Sequence, residues 1–246
     1  MKKLLITLLC SVALVQGCSK GAPDAPGAAP KAPVSLNDAN SAAAVKKAVL
    51  EKKAADAPHA DKSVPLTQYQ ELTSGKQLMF AYLAIDTMPM DYEKIAAKVS
   101  PAYSGQTDEF KKRDMLNALK PGIDKEVAKA KEGRYFFMHI GDNLDKYDFP
   151  SKSFGNPAFN GNDSTRYFND DSAYQLKFTN NSLFNKVAVP DEERARMIES
   201  LRAKYQGLRM NVYFFMSESE LGNTVLKSEI TKLQVTDSKG NVLAEI

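Results

Sequence analysis

The chain has 246 residues, with 33 lysines and arginines against 30 aspartates and glutamates, a formal net charge of +3. So even a balance, with the two signs interspersed, lacks the electrostatic footprint of a nucleic-acid binder. The two cysteines, Cys10 and Cys18, both lie among the first eighteen residues, so the rest of the chain has no disulfide, thiolate metal site or cysteine nucleophile.

The first element in chain order is a targeting segment. Lys2 and Lys3 precede an apolar run from Leu4 to Val15 that only Thr7 and Ser11 interrupt. That is the length of a signal-peptide core and falls short of the roughly 20 residues a membrane span needs. The run ends in Val15-Gln16-Gly17-Cys18-Ser19. This resembles the lipobox of bacterial lipoproteins: an aliphatic residue, a variable one and a small one before the cysteine. The resemblance implies removal of residues 1–17 and diacylglycerol on the Cys18 sulfur. It also implies a lipid-anchored envelope protein, with Ser19 in place of an aspartate directing it to the outer membrane, facing the periplasm. A single acyl chain holds a protein to a membrane only marginally, so stable anchoring needs the several chains such lipoproteins carry.

Residues 18–64 read as a tether. Pro23, Pro26, Pro30 and Pro33 punctuate an Ala/Gly-rich stretch that cannot bury enough apolar surface to fold. A short charged helix is expected from Asp38 to about Ala55, with a thin apolar face of Ala44, Val45, Ala48 and Val49. Asp56 to Val64 reads as linker again, so a single domain is expected over 65–246.

That domain opens with helices. Thr67 and Gln70 have the spacing of a capping box. The apolar run Leu78–Ile85 predicts a buried helix, and Asp91 caps another with Tyr92, Ile95 and Val99 on one face, stopped by Pro101. Thr107 with Asp108 and Glu109 opens a third, with Leu116 and Leu119 inward. After Pro121, a fourth carries Ile123, Val127 and Ala130 up to Gly133.

From Arg134 the pattern turns to strands. Tyr135–Ile140 is aromatic and β-favouring, and Tyr174, Leu176 and Phe178 alternate on one side of a second strand. A helix follows Pro190, with Met197, Ile198, Leu201 and Tyr205 expected inward until Gly207. Arg209–Met216 reads as a strand, and Val225–Thr236 with Asn241–Ile246 as a hairpin through Asp237-Ser238-Lys239-Gly240. Tyr135-Phe136-Phe137-Met138 recurs as Tyr213-Phe214-Phe215-Met216, which reads as two strands of one sheet and not as a duplication. Helices first and strands later predict an α+β fold, helices packed on a mostly antiparallel sheet. Asp108-Glu109-Phe110 through Leu119-Lys120-Pro121, then Tyr147-Asp148-Phe149 and Phe154, is similar to uncharacterised domains of bacterial exported proteins, a resemblance that implies no activity.

No catalytic, cofactor or metal constellation emerges. His59 reads as a solvated linker residue beside Asp61, and His139 as a histidine satisfied at the sheet margin. The Asn160–Ser164 and Asn169–Asp171 stretch carries oxygen ligands but also Arg166 and no EF-hand glycine, so it reads as turns. Ser74-Gly75-Lys76 lacks the rest of a phosphate loop, and no G-x-S-x-G elbow occurs. Paired carboxylates of a hydrolase would meet only in space, and nothing in the sequence singles out a pair. Tyr147, Phe149, Phe154, Phe159, Tyr167 and Phe168 stand out as loop aromatics, and of these Tyr147, Phe149, Phe159, Tyr167 and Phe168 are the expected binding surface. The expectation is a non-enzymatic envelope lipoprotein without cofactor. Its partners would be the membrane, through Cys18, and another envelope protein, as in an immunity or inhibitor lipoprotein; the alternative is cell-wall glycan.

Overall fold

The structure, a computed structural model, describes residues 58–246 apart from 142, 162–164, 206 and 221. Over the described residues the fold is α+β: five α-helices and two sheets, the larger one mixed and mostly antiparallel. The lipobox, Cys18 and the helix expected over 38–55 lie outside the described residues.

Helix α1 (Gly75–Ile85) is the buried helix expected from Leu78–Ile85, and Leu78 and Met79 are fully buried. The capping-box spacing operates here, seven residues later than the Thr67/Gln70 pair. Ser74 Oγ accepts from the Gln77 N–H at 3.2 Å while Gln77 Oε1 accepts from the Thr73 N–H at 3.0 Å. Thr67 instead lies in a 3₁₀ turn, Leu66–Gln68, because Tyr69 drops onto the sheet edge-on to Tyr135 and Tyr213. Asp170 reaches across from a later turn to accept from the Gly75 N–H at 2.8 Å, adding a carboxylate cap beside the Ser74 hydroxyl.

Helix α2 (Tyr92–Val99) is capped by Asp91 as expected, and α3 (Pro101–Ser104) starts with Pro101 in its first turn. Helix α4 (Glu109–Lys131) is one continuous helix where two were expected. Pro121 has no N–H to give the Asn117 carbonyl, but both residues are exposed and water is at hand, so the helix tolerates it. Ile123 and Val127 are its buried residues, and Leu116 and Leu119 are half-buried.

The larger sheet has the order β1-β2-β8-β9-β6-β5, with β10 also on β9. Its strands are β1 (Gln70–Glu71), β2 (Tyr135–Ile140), β5 (Thr165–Phe168), β6 (Asp171–Phe178), β8 (Arg209–Ser219), β9 (Val225–Thr236) and β10 (Val242–Glu245). The repeated Tyr-Phe-Phe segments pair with each other antiparallel, Tyr135 opposite Phe215 and Phe137 opposite Tyr213. Two parallel pairs, β1 with β2 and β6 with β9, interrupt the antiparallel pattern. One sheet face carries Phe136, Met138, Met210, Val212, Phe214, Met216 and Leu226 into the core with α1. Lys98 of α2 binds both oxygens of buried Asp171, at 2.7 and 2.9 Å, and ties that helix to β6.

Residues 58–64, expected as linker, are attached to the other sheet face. Glu229 accepts from the Ala60 N–H at 3.2 Å, and the Tyr135 hydroxyl accepts from the Asp61 N–H at 2.8 Å. The small sheet is β3 (Tyr147–Asp148), β4 (Ser153–Gly155) and β7 (Lys186–Ala188), order β3-β4-β7. Helix α5 (Glu192–Ala203) follows it, capped by Asp191. Ala195 and Ile198 are its buried residues. Met197 is 47% exposed and Tyr205 88% exposed, contrary to the expected inward face. The helix ends at Ala203, two residues before Tyr205, whose φ of +52° turns it off the helical face.

Candidate functional site

A groove of about 460 Å³ runs between α5 and the turn joining β3 to β4. Its walls are Tyr147 and Phe149 on one side and Ala195, Arg196, Ser200 and Ala203 on the other, with Glu192 and Glu199 at the rim. Most of the lining is apolar. Small side chains at 195, 200 and 203 leave the space that a longer residue would fill.

The turn is held so that Phe149 projects. The Tyr147 hydroxyl donates to the Val189 carbonyl at 2.9 Å, and the Val189 N–H donates to the Lys152 carbonyl at 2.8 Å. Ser151 bonds Asp148 and lies 2.7 Å from the Ser153 hydroxyl. Lys152 adopts a φ of +48°, the left-handed conformation that closes the turn. Tyr147 packs on buried Phe154, with ring centroids 5.0 Å apart, and meets Phe149 edge-on at 5.2 Å. Phe149 itself is 76% exposed. Phe149 thus presents a large apolar side chain to water beside an apolar groove.

The charges at the rim are paired with each other. Glu199 accepts from Arg202 Nε at 2.9 Å and Nη2 at 2.5 Å, and Glu192 lies 3.6 Å from Arg196. The Arg202 guanidinium holds the Glu199 carboxyl below the usual carboxylate range, helped by the Tyr147 backbone and Lys146. Glu199, at the rim of the groove, is thereby held by Arg202 one turn further along α5.

Of the aromatics expected at a binding surface, only Tyr147 and Phe149 meet here. Tyr167 is exposed on edge strand β5, apart from the groove. Phe168 packs half-buried against the core. Phe159 is 2% exposed, set against Phe178 and Phe184. It closes the core beneath the loop and cannot belong to a surface. The α5 wall went unread in the sequence, although Glu192, Arg196, Glu199 and Ala203 follow helical spacing along one face.

Among the described residues, the remaining candidates are engaged in other contacts. His139 Nδ1 lies 2.6 Å from Asn211 Oδ1 and its Nε2 lies 3.5 Å from Glu71, at the exposed sheet margin. His59 lies 3.9 Å from Glu229. In the Asn/Asp stretch, Asp170 caps α1 and Asp171 holds Lys98, so their oxygens are already engaged. Among the described residues, no three His, Cys, Asp or Glu side chains are placed to share a metal ion. Among them too, no helix is long and apolar enough to cross a membrane. No protein family, curated protein or solved structure matches this chain.

Proposed function

We propose that the chain is a lipid-anchored envelope protein whose α+β domain docks another envelope protein at the groove between Phe149 and α5. The observation carrying this reading is Phe149, held out in solvent beside an apolar groove. The rim charges neutralise each other, so the groove selects by shape and apolar contact, and a partner's aliphatic or aromatic side chain is its natural occupant. Val15-Gln16-Gly17-Cys18 supplies the anchor. Attached to a surface, the domain needs only modest affinity for a partner in the same envelope, because tethering raises the effective concentration.

A second reading has one observation in its favour. An exposed aromatic ring with Ser200, Glu192 and Arg196 close by also suits a sugar ring, which stacks on the aromatic and bonds through its hydroxyls.

Two measurements test these readings. Labelling with palmitate and membrane fractionation of the native chain and Cys18→Ala test the anchor: label and membrane retention should both vanish in the variant. Retention on isolated cell wall separates the two occupants. The protein-docking reading predicts none, and retention that Phe149→Ala abolishes would replace it with the glycan reading.

A further inference from the structure

Arg134 enters β2 directly after α4, and its guanidinium is fixed in two ways. Nη1 donates to the Ser217 carbonyl at 3.1 Å, and the group lies over the Phe215 ring, 6.0 Å from its centroid. The Met216 N–H donates to the Arg134 carbonyl at 2.9 Å, so the backbones are joined as well. Arg113, Arg194, Arg196 and Arg202 each face a carboxylate. Among the described residues Arg134 has none. Its Nε–Nη2 edge, the fork that grips a planar oxyanion, has no protein acceptor there either.

Arg134 lines a depression of about 430 Å³, together with Ile85, Thr87, Ser217, Ser219 and Pro58. Glu218 borders it too, but its carboxylate is held by Lys227 at 2.7 Å. The Ser219 hydroxyl donates to Asp86 at 3.2 Å. The depression thus combines an immobilised guanidinium, with no carboxylate partner among the described residues, with the apolar walls of Ile85 and Pro58, in a volume suited to a small molecule.

We propose that this depression binds a carboxylate carried on a small apolar body, of which the C-terminus of a short peptide is the simplest form. The Arg134 fork takes the two carboxylate oxygens, and Ile85 and Pro58 take the adjoining side chain. A single cation with a planar fork suits a monoanionic carboxylate; a phosphate would call for more donors than Arg134 offers. The depression uses α1, β2 and β8, none of which lines the Phe149 groove, so the two sites stand or fall separately.

Calorimetric titration of the purified full-length chain with N-acetyl-alanyl-alanine, its C-terminal amide and inorganic phosphate tests the assignment. Saturable binding of the free acid and none of the amide is expected. Arg134→Lys, which keeps the charge and loses the fork, should weaken binding roughly tenfold or more, the order expected for a charge-assisted bidentate contact. Thr87→Trp, at an exposed position on the rim, should block the depression while leaving Arg134 in place. It keeps the test valid if the Arg134 variant folds poorly. Absence of binding, equal binding of the amide, unchanged affinity in both variants, or tighter binding of phosphate would each overturn the proposal.

Discussion

The side-chain amide of Asn180 takes the place of a strand against Ile230, accepting from the Ile230 N–H at 2.8 Å and donating to its carbonyl at 2.9 Å. One edge of β9 pairs with β6 up to Ser228 and with β10 from Gln234 onward. Ile230 falls in the gap between them, fully buried, and Asn180 satisfies the backbone that neither strand reaches.

Asn180→Leu keeps the volume and removes both partners. Two buried backbone groups are then left without a bond, and the change should cost about 2–4 kcal/mol. Urea denaturation reads this as a lower midpoint at an unchanged slope.

Two glycines should respond in opposite directions to alanine. A Cβ at Gly75 would stand 2.6 Å from the Asp171 carbonyl oxygen and 2.9 Å from its nitrogen, backbone atoms of the β5–β6 turn. Gly75→Ala should therefore destabilise by about 1–3 kcal/mol, the usual cost of overpacking. Gly122 lies exposed within α4 with nothing within 4 Å of the added carbon, and Gly122→Ala should stabilise by about 0.5–1 kcal/mol. Thermal unfolding of the two variants measures both signs.

Alkaline stability should follow the buried tyrosines. Burial, with the nearby Asp86 carboxylate, pushes the Tyr82 phenol up to about 12. Burial also raises Tyr69, Tyr174 and Tyr213. In the unfolded chain these phenols ionise near 10, while in the folded chain they remain protonated. Between those values the folded state binds more protons, so stability is full below pH 10 and falls as pH rises toward about 12. Tyr82→Phe removes one of these phenols and should flatten the fall. Denaturation midpoints taken on both sides of pH 10 give the comparison.

Phe149 and Phe159 sit ten positions apart in the same loop-rich stretch and read alike in the sequence. Phe159→Ala should cost about 3–5 kcal/mol, because it empties a filled core position. Phe149→Ala should change stability by no more than about 0.5 kcal/mol and act on binding alone. Calorimetric unfolding of the two variants separates them directly.

That pair also marks the limit of what the sequence reveals. Where the signal is local it was legible: the Asp91 cap, the alternation in β6, the hairpin from Val225 to Ile246 and the α+β class all follow from neighbouring residues. The continuous helix through Pro121 was not, because breaking there depends on whether the freed carbonyl can reach water. The parallel pairing of β6 with β9 and the attachment of residues 58–64 depend on partners fifty or more positions away. The groove is the same kind of case. Tyr147 and Phe149 were visible as loop aromatics, but Ala195, Ser200 and Ala203 gain meaning only once α5 lies beside that turn.

The most direct test of the docking groove is a photo-crosslinking amino acid placed at position 149 in intact cells, with Ser200→Arg as a version whose groove is filled. One discrete crosslinked envelope protein is expected, identified by mass spectrometry and lost when Ser200 is replaced by arginine. No crosslinked protein, or the same product with the groove blocked, would contradict it.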